Sequence, residues 1–156
     1  MASTITPTTL KVTIREQINM GGTDFGAKTE FSLNNISEVS RRRMTTNGTG
    51  STIVIRFMPS ASAGQFINTD IRYVRITNLD NANFATLRFL GESSTDFAVR
   101  LDPAGSHIVT STSTTGVADY ADISGVVLEN LTSISAIADT AAIDLELFVA
   151  SASGSA

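Results

Sequence analysis

Apolar and polar residues alternate along several short segments of this chain, with the period of two that is typical of a half-buried β-strand. The pattern is clearest in residues 71–111, where it predicts strands at 71–77, 84–90, 97–101 and 107–111. The segments between them are rich in Asn, Asp, Gly and Ser, which favour tight turns. Because parallel strands need a crossover of a dozen residues or more, we expect these four strands to pair antiparallel in succession.

The same alternation predicts strands on both sides of this block, at residues 10–16, 27–33, 37–45, 52–58, 132–138 and 141–150. Between 37–45 and 52–58 lies Asn47-Gly48, which predicts a hairpin with a type I′ turn because both residues tolerate positive φ. There is no long segment of helical periodicity. About nine strands with regular turn signals therefore predict an all-β, antiparallel sandwich or barrel.

Alternation also predicts which side chains are buried. We expect the core to contain Phe89, Val99 and Leu145. In the first strand Leu10, Val12 and Ile14 should face inward, and in 27–33 Phe31 and Leu33 should share a face. In 97–101 Phe97 should join the core. In the last strand the outward-facing residues should be Asp144, Glu146 and Phe148. A shift of one residue in any strand would reverse these assignments.

The length of 156 residues fits one domain that can bury a core without a disulfide or a metal. Cysteine is absent, which excludes disulfides, thiolate metal sites and cysteine nucleophiles. We expect an extended arm over residues 1–9, a single domain over 10–150 and a tail over 151–156. The first residues lack the basic and apolar regions of a signal peptide, and no apolar run approaches the roughly 20 residues of a membrane helix, so we expect no membrane partner.

Charge is distributed unevenly along the chain. Residues 1–100 hold all 11 basic residues and eight acidic ones, a net charge of +3, whereas residues 101–156 hold seven acidic residues and no base, a net charge of −7. An overall charge of −4 argues against direct binding of nucleic acid. The asymmetry suits a homo-oligomer in which a basic region meets an acidic one, and it equally suits neutralisation within one monomer.

Three features resemble chemical motifs without meeting their requirements. Residues 21–29, GGTDFGAKT, approach a phosphate-binding loop, but Ala27 separates glycine from lysine and a strand rather than a helix follows. His107 is the single histidine, and nothing in the sequence pairs it with a nucleophile. Asp119 and Asp122 are the type of residue that binds a hard cation, but two acids fall short of a calcium loop. We therefore predict no catalytic residue, no metal and no cofactor, and not an enzyme.

Arg41, Arg42 and Arg43 are the most distinctive charged feature. On a strand, Arg41 and Arg43 point to one side and Arg42 to the other. One interpretation is a solvated or edge strand that charge protects from aggregation. The other is a contact with the acidic surface of a neighbouring subunit, since arginine is favoured over lysine at protein interfaces.

Four stretches, SEVSRRRM, SAGQFINTDIRYVRITNLDNANFATLRF, FAVRLDPAGSHIV and ISAIADTAAIDLELFVAS, carry a resemblance over most of residues 37–151. They resemble small structural proteins of tailed bacteriophages, notably cyanophage-like marine and freshwater phages. The shared pattern is an Arg-Tyr-hydrophobic-Arg-Ile-Thr-Asn strand, a turn, a strand that ends in an apolar triplet, and a hydrophobic strand that runs into Gly-Ser. Proteins of this kind often decorate or cement the capsid as jelly-roll trimers, and others belong to the neck or tail.

The resemblance implies a jelly-roll-like antiparallel β-sandwich that acts as a capsid cement protein. It would bridge major capsid subunits as a homotrimer on the capsid exterior, after synthesis in the cytoplasm of the bacterial host. A neck or tail component is the alternative within this class, and a carbohydrate-binding sandwich is the alternative outside it, which the absence of Trp disfavours. The candidate interface residues are Ile5, Thr6, Arg41, Arg42, Arg43, Arg72, Arg75, Asp119, Asp122 and Phe148.

Overall fold

The computed structural model describes residues 5–60, 65–93, 96–111, 118–120 and 128–152, and nearly all of their regular structure is β-strand. Nine strands have five residues or more: β1 Thr8–Arg15, β4 Lys28–Thr46, β5 Thr52–Met58, β7 Ile71–Asn78, β8 Ala85–Gly91, β9 Asp96–Leu101, β10 Ser106–Thr110, β12 Leu128–Ala138 and β13 Ile143–Ala152. The short strands are β2 Asn19–Met20, β3 Thr23–Asp24, β6 Phe66–Ile67 and β11 Ala118–Tyr120. Within the described residues the helical element is a 3-10 turn, Asn68–Asp70, and no helix is long and apolar enough to cross a membrane.

The long strands form two sheets. The first has the order β1-β4-β13-β7-β10, and the second has the order β6-β5-β12-β8-β9, with β11 beside β12. Neighbours pair antiparallel except for the two-residue contact between β5 and β6. Side chains from both sheets, among them Phe89 and Leu147, are buried in one common cluster. The prediction of an all-β, antiparallel fold is confirmed.

The four strands of residues 71–111 do not pair in succession as predicted. β8 and β9 do pair, but β7 and β10 pair with each other in the first sheet. The turn after β7 explains the difference, because the buried Asn78 amide donates to the carbonyl oxygens of Asn83 (2.9 Å) and Leu101 (3.3 Å) and accepts from the Asp80 backbone N–H (2.9 Å). These bonds fix a turn that delivers the chain to the facing sheet rather than to a neighbouring strand.

The predicted hairpin at Asn47-Gly48 is also wrong. β4 lies in the first sheet and β5 in the second, so the two strands do not pair with each other. The glycines with positive φ among the described residues are Gly21 and Gly22, so Gly48 does not adopt the type I′ conformation. The Asn47 carbonyl oxygen instead accepts from the Ala138 backbone N–H (3.2 Å), which ties the crossing loop to the end of β12.

Residues 27–33 and 37–45, predicted as separate strands, belong to the single strand β4, which has 19 residues. Its first half pairs with β1 and its second half with β13. Asn35, with a φ of 61°, marks the junction of the two halves. Asparagine tolerates this left-handed conformation, so the irregularity redirects the strand without ending it. The strands β1 and β13 extend two residues beyond the predicted domain limits, to Thr8 and to Ala152.

Burial confirms most of the predicted core. Phe89 and Leu145 are fully buried, and Val99 is partly buried against the same cluster. Phe97, expected in the core, is 38% exposed because β9 is the edge strand of its sheet. In the first strand, Leu10 and Val12 pack into a second cluster away from the main core, and Ile14 is exposed, contrary to prediction.

Candidate functional site

A projecting β-hairpin is the most exposed part of the described chain. Every residue from 13 to 30 is exposed. We call this segment the arm, and it is distinct from the N-terminal extension predicted over residues 1–9. Its end, residues 16–27, is here named the tip. Two backbone hydrogen bonds keep the tip in line with the arm, from Glu16 N–H to the Ala27 carbonyl oxygen (2.8 Å) and from Phe25 N–H to the Ile18 carbonyl oxygen (3.0 Å). The tip is therefore an ordered structural element that the body of the protein does not cover.

The composition of the tip is unusual for an exposed hairpin. Ile18, Met20 and Phe25 are all exposed, and Phe25 is 64% exposed. Isolated apolar residues on a surface need no explanation, but a group of large ones on a projecting element is typical of an interaction site. The only charged residues of the tip are Glu16 and Asp24, so it carries two negative charges.

A groove lies where the hairpin base returns over the outer face of the first sheet. We call it the edge groove; it has a volume of about 480 Å³ and is lined by Leu10, Lys11, Val12, Thr13, Ile14, Arg41, Tyr73, Arg75, Ser106, Ile108 and Phe148. Its walls come from β1 and β10, which are the two outermost strands of the same sheet. Within the described chain, each of these strands is paired along one edge only. The groove therefore combines apolar side chains with two strand edges that are free to accept hydrogen bonds.

The floor of the edge groove is aromatic and aliphatic. Tyr73 and Phe148 meet edge to face with ring centroids 5.8 Å apart, and Ile108 packs against the same cluster. Such edge-to-face pairs are favourable beyond the area that they bury. Burial raises the pKa of the Tyr73 hydroxyl, and the positive charge of Arg75 opposes this shift. The hydroxyl is therefore a neutral hydrogen-bonding group at neutral pH.

Two arginines and a glutamate form the polar end of the site. Arg41 donates to Glu146 Oε2 from Nε (2.9 Å) and from Nη2 (2.5 Å), and Arg75 Nη2 donates to Oε1 of the same carboxylate (2.7 Å). The Glu146 side chain is 8% exposed, whereas that of Arg41 is 65% exposed. The hydrogen bonds from Arg41 lower the pKa of Glu146, against the opposing effect of desolvation. Two cations face one anion, so the cluster keeps a net positive charge.

Arg75 links this cluster to the apolar floor. Its guanidinium carbon lies 5.7 Å from the centroid of the Phe148 ring, within the range of a cation–π interaction. Its Nε is buried and has no hydrogen-bond partner among the described residues. The exposed Arg41 side chain also retains donor capacity, because a guanidinium has five N–H groups. The site thus presents the remaining N–H groups of Arg41 beside an apolar surface, an arrangement suited to a carboxylate that shares a face with large apolar side chains.

The structure brings Arg41, Arg75 and Phe148 of the predicted interface together at this site. The predicted alternation of the arginine run is also confirmed, because Arg42 points to the other side and donates to the Val54 carbonyl oxygen (2.5 Å) of the second sheet. Arg43 is exposed and lies opposite Glu146 in the strand register. On one face of β4 the arginine run therefore contributes Arg41 to the edge groove, and on the other face Arg42 links the two sheets.

The other predicted interface residues are not part of the edge groove. Arg72 donates to the carbonyl oxygens of Thr69 (2.7 Å) and Ile71 (3.1 Å). Ile5 and Thr6 are exposed ahead of β1. Asp119 belongs to the short strand β11, and Asp122 lies outside the described residues.

The structure shows where the segments that resemble chemical motifs lie. Residues 21–29 form the turn of the tip and the start of β4 at Lys28, so the segment leads into the predicted strand. His107 is half-buried with its ring 5.2 Å from that of Phe89, and desolvation lowers its pKa. In the part of the chain that the structure describes, no group of three or more His, Asp or Glu side chains is arranged to hold a metal ion.

Sequence reasoning missed Glu146 and the apolar side chains of β1 as members of the site. Glu146 was correctly placed on the outward face of its strand, but it is buried there beneath two arginines. The available signal was its position in β13, where it interrupts a run of apolar residues. Its pairing with Arg41 and Arg75 is a contact between the basic and acidic regions within one chain, although the two arginines outnumber the one carboxylate.

No protein-family model, curated protein or solved structure matches this chain.

Proposed function

We propose that this chain is a non-enzymatic structural protein of a bacteriophage virion. In this proposal it is a cement protein that lies on the capsid exterior and bridges major capsid subunits as a homotrimer. The proposal begins from the resemblance of residues 37–151 to small phage structural proteins. The observation that carries it further is the order of the strands in the two sheets.

That order supports a jelly roll, the fold that the resemblance implies. A jelly roll has eight strands in two facing sheets built from Greek keys, and it is common in viral capsid proteins. Here the strands β4-β13-β7-β10 of one sheet and β5-β12-β8-β9 of the other give the eight. The connections from β4 to β5, from β7 to β8 and from β12 to β13 each pass from one sheet to the other, which is how two Greek keys interleave. In this scheme the strand β1 and the arm are additions to the eight-stranded body.

The features of the surface favour assembly over catalysis. The arm carries exposed apolar side chains away from the body, and the edge groove offers, among the described residues, unpaired strand edges beside an apolar floor. Both are means of contacting another protein chain. A cement protein acts by many such contacts repeated by symmetry, because multivalency raises avidity without any new chemistry.

The test is the location of the protein in purified virions. Antibodies raised against the recombinant protein are applied to virions of the phage that encodes it, and gold label is counted on heads, necks and tails by electron microscopy. We expect label distributed over the head. Label confined to the neck or tail would replace the cement role with the alternative within the class. Intact, infectious virions without label or detectable protein would overturn the proposal, and binding to a glycan array would then favour a carbohydrate-binding sandwich.

A further inference from the structure

The tip of the arm and the edge groove are complementary in hydrophobicity and in charge. The tip offers three large exposed apolar side chains and two negative charges. The edge groove offers an apolar floor and a cluster with a net positive charge, formed by Arg41, Arg75 and Glu146. In the register of the hairpin Ile18 lies opposite Phe25 and Glu16 lies opposite Ala27, so the Glu16 carboxylate shares a face of the tip with Ile18 and Phe25. The groove likewise places a positive charge beside an apolar surface, since Arg75 lies against the Phe148 ring.

A tip does not reach the groove of its own chain. The groove is walled by β1, and the tip lies beyond the end of that strand, held in line by the Glu16–Ala27 and Ile18–Phe25 backbone hydrogen bonds. To fold back, the hairpin would have to break the pairing of β1 with β4, which extends to Arg15 and Lys28. The complementary surfaces of one chain are therefore available only to a second copy.

We propose that the tip of one copy docks into the edge groove of a second copy. Phe25 lies on the floor formed by Tyr73, Ile108 and Phe148, and the Glu16 carboxylate accepts hydrogen bonds from the exposed guanidinium of Arg41, next to the positive charge of Arg75. The inference deepens the proposed function and rests on its self-assembly, because it names the surfaces through which copies associate. It does not depend on where in a virion the protein lies.

Backbone pairing adds to this contact. The strands of the tip, β2 and β3, are paired only with each other among the described residues, so each has a free outer edge. The groove is walled by β1 and β10, each of which is paired along one edge only in the part of the chain that the structure describes. An extended segment that enters such a slot gains main-chain hydrogen bonds in addition to side-chain contacts, as in β-strand addition.

The contact is heterologous, since a tip meets a groove rather than another tip. A heterologous contact closes into a ring when the rotation between successive copies divides a full turn, and otherwise it continues as a filament. A closed ring of three copies is the outcome that agrees with the proposed homotrimer. Every copy in such a ring contributes one tip and one groove, so no apolar tip remains exposed.

The absence of native cysteine makes a direct test possible. Two single variants, Thr23→Cys in the tip and Ser106→Cys in the groove wall, are mixed and oxidised gently; Thr23 is exposed and lies opposite Met20, so the variant keeps Phe25 in place. The matched control mixes Thr23→Cys with Thr49→Cys, whose position is also exposed but lies in the loop between β4 and β5. We expect the 23–106 disulfide to exceed the 23–49 disulfide at least about tenfold by peptide mass spectrometry, because docking holds the thiols at a millimolar effective concentration.

Self-association is measured in parallel by sedimentation over a range of concentrations. Phe25→Ser should weaken association about tenfold or more, which is the effect expected of a central aromatic contact. Val39→Ser removes another exposed apolar side chain, from the body of the sheet, and should leave association unchanged. The melting temperature of both variants should equal that of the wild type, because neither side chain lies in a core cluster.

The outcomes separate this inference from the proposed function. Oligomers that form equally well with Phe25→Ser, or 23–106 and 23–49 disulfides in equal yield, would overturn tip-to-groove docking even if virions carry the label. A wild-type protein that stays monomeric at high concentration would overturn it as well, and so would the absence of the 23–106 disulfide from the mixed cysteine variants. A Phe25→Ser protein that self-associates normally but no longer binds virions would assign the tip to another protein, and so refute the inference while supporting the virion role.

Discussion

Two phenylalanines that stack on each other should respond very differently to truncation. Phe89 in β8 and Phe97 in β9 are direct partners in the strand register, and their rings stack in parallel with centroids 4.6 Å apart. Phe89 is completely buried in the main core, whereas Phe97 is 38% exposed on the edge strand. The residue type and the aromatic contact are the same in both cases. Burial is therefore the property that the comparison isolates.

The expected magnitudes follow from that difference. Phe89→Ala removes a ring from a closed core and leaves a cavity, which costs about 3–5 kcal/mol of unfolding free energy. Phe97→Ala opens a surface position that water refills, so it loses only part of the roughly 1.5–3 kcal/mol that a fully buried side chain contributes. For a protein of this size, 1 kcal/mol corresponds to about 2–4 °C in melting temperature. We expect a decrease of about 6–20 °C for Phe89→Ala and a decrease of a few degrees for Phe97→Ala.

The assay is urea unfolding of the wild type and both variants, monitored by far-UV circular dichroism. An unchanged slope of the transition shows that the variants differ in stability and not in the extent of unfolding. Equal losses for the two variants, or a larger loss for Phe97→Ala, would refute the assignment of Phe89 to the core. Either result would mean that β8 is displaced by one residue, which would exchange its buried and exposed faces.

Four further predictions concern polar groups and the N-terminus. Glu146→Gln should lower the melting temperature at pH 7, and the difference from the wild type should shrink in acid, because a carboxyl whose folded pKa lies below its ordinary 4.5 loses its stabilising effect as pH falls through that lower value. Asn78→Ala should cost about 1–3 kcal/mol in denaturant unfolding by leaving buried backbone groups unpaired, and a neutral result would refute the role of its amide in the turn. Burial lowers the pKa of His107, so the wild type should lose stability relative to His107→Gln as pH falls below the ordinary value of 6.5, and parallel pH profiles would contradict this. Deletion of residues 2–7, which precede β1, should leave the melting temperature unchanged and reduce virion binding; loss of folding would show that the segment belongs to the domain.

The strands were predictable because alternation is a local property. The predicted strand at 52–58 coincides with β5, and those at 71–77 and 97–101 differ from β7 and β9 by one residue. Pairing was less predictable, because it depends on where a turn directs the chain. Asn78 has the ordinary sequence signature of a turn residue, and nothing in that signature distinguishes a turn to a neighbouring strand from a turn to the facing sheet. The hydrogen bonds of its amide make that difference, and one of them reaches Leu101, which is 23 residues away in sequence.

The first strand shows a second limit of periodicity. Leu10 and Val12 alternate with polar residues as a core-facing strand should, and they do pack against apolar side chains. Alternation identifies an apolar face but does not say which surface covers it. In this chain the hairpin base covers the outer face of the first sheet, so the apolar face contributes to the edge groove. The bend at Asn35 that makes this possible is one residue long and has no periodic signal.

The arginine run illustrates how one local pattern serves two ends. Strand geometry alone required Arg41 and Arg42 to point to opposite sides, and each finds a partner there: a carboxylate from β13 and a carbonyl oxygen from β5. Arg42 thereby joins the two sheets, whereas Arg41 extends onto an open surface and remains largely exposed. Because Glu146 already orients Arg41 and Arg75, a partner carboxylate would meet donors that are held in place, and less side-chain entropy would be lost on binding. The buried glutamate is thus as important to the proposed self-association as the exposed arginine, although it never touches the partner.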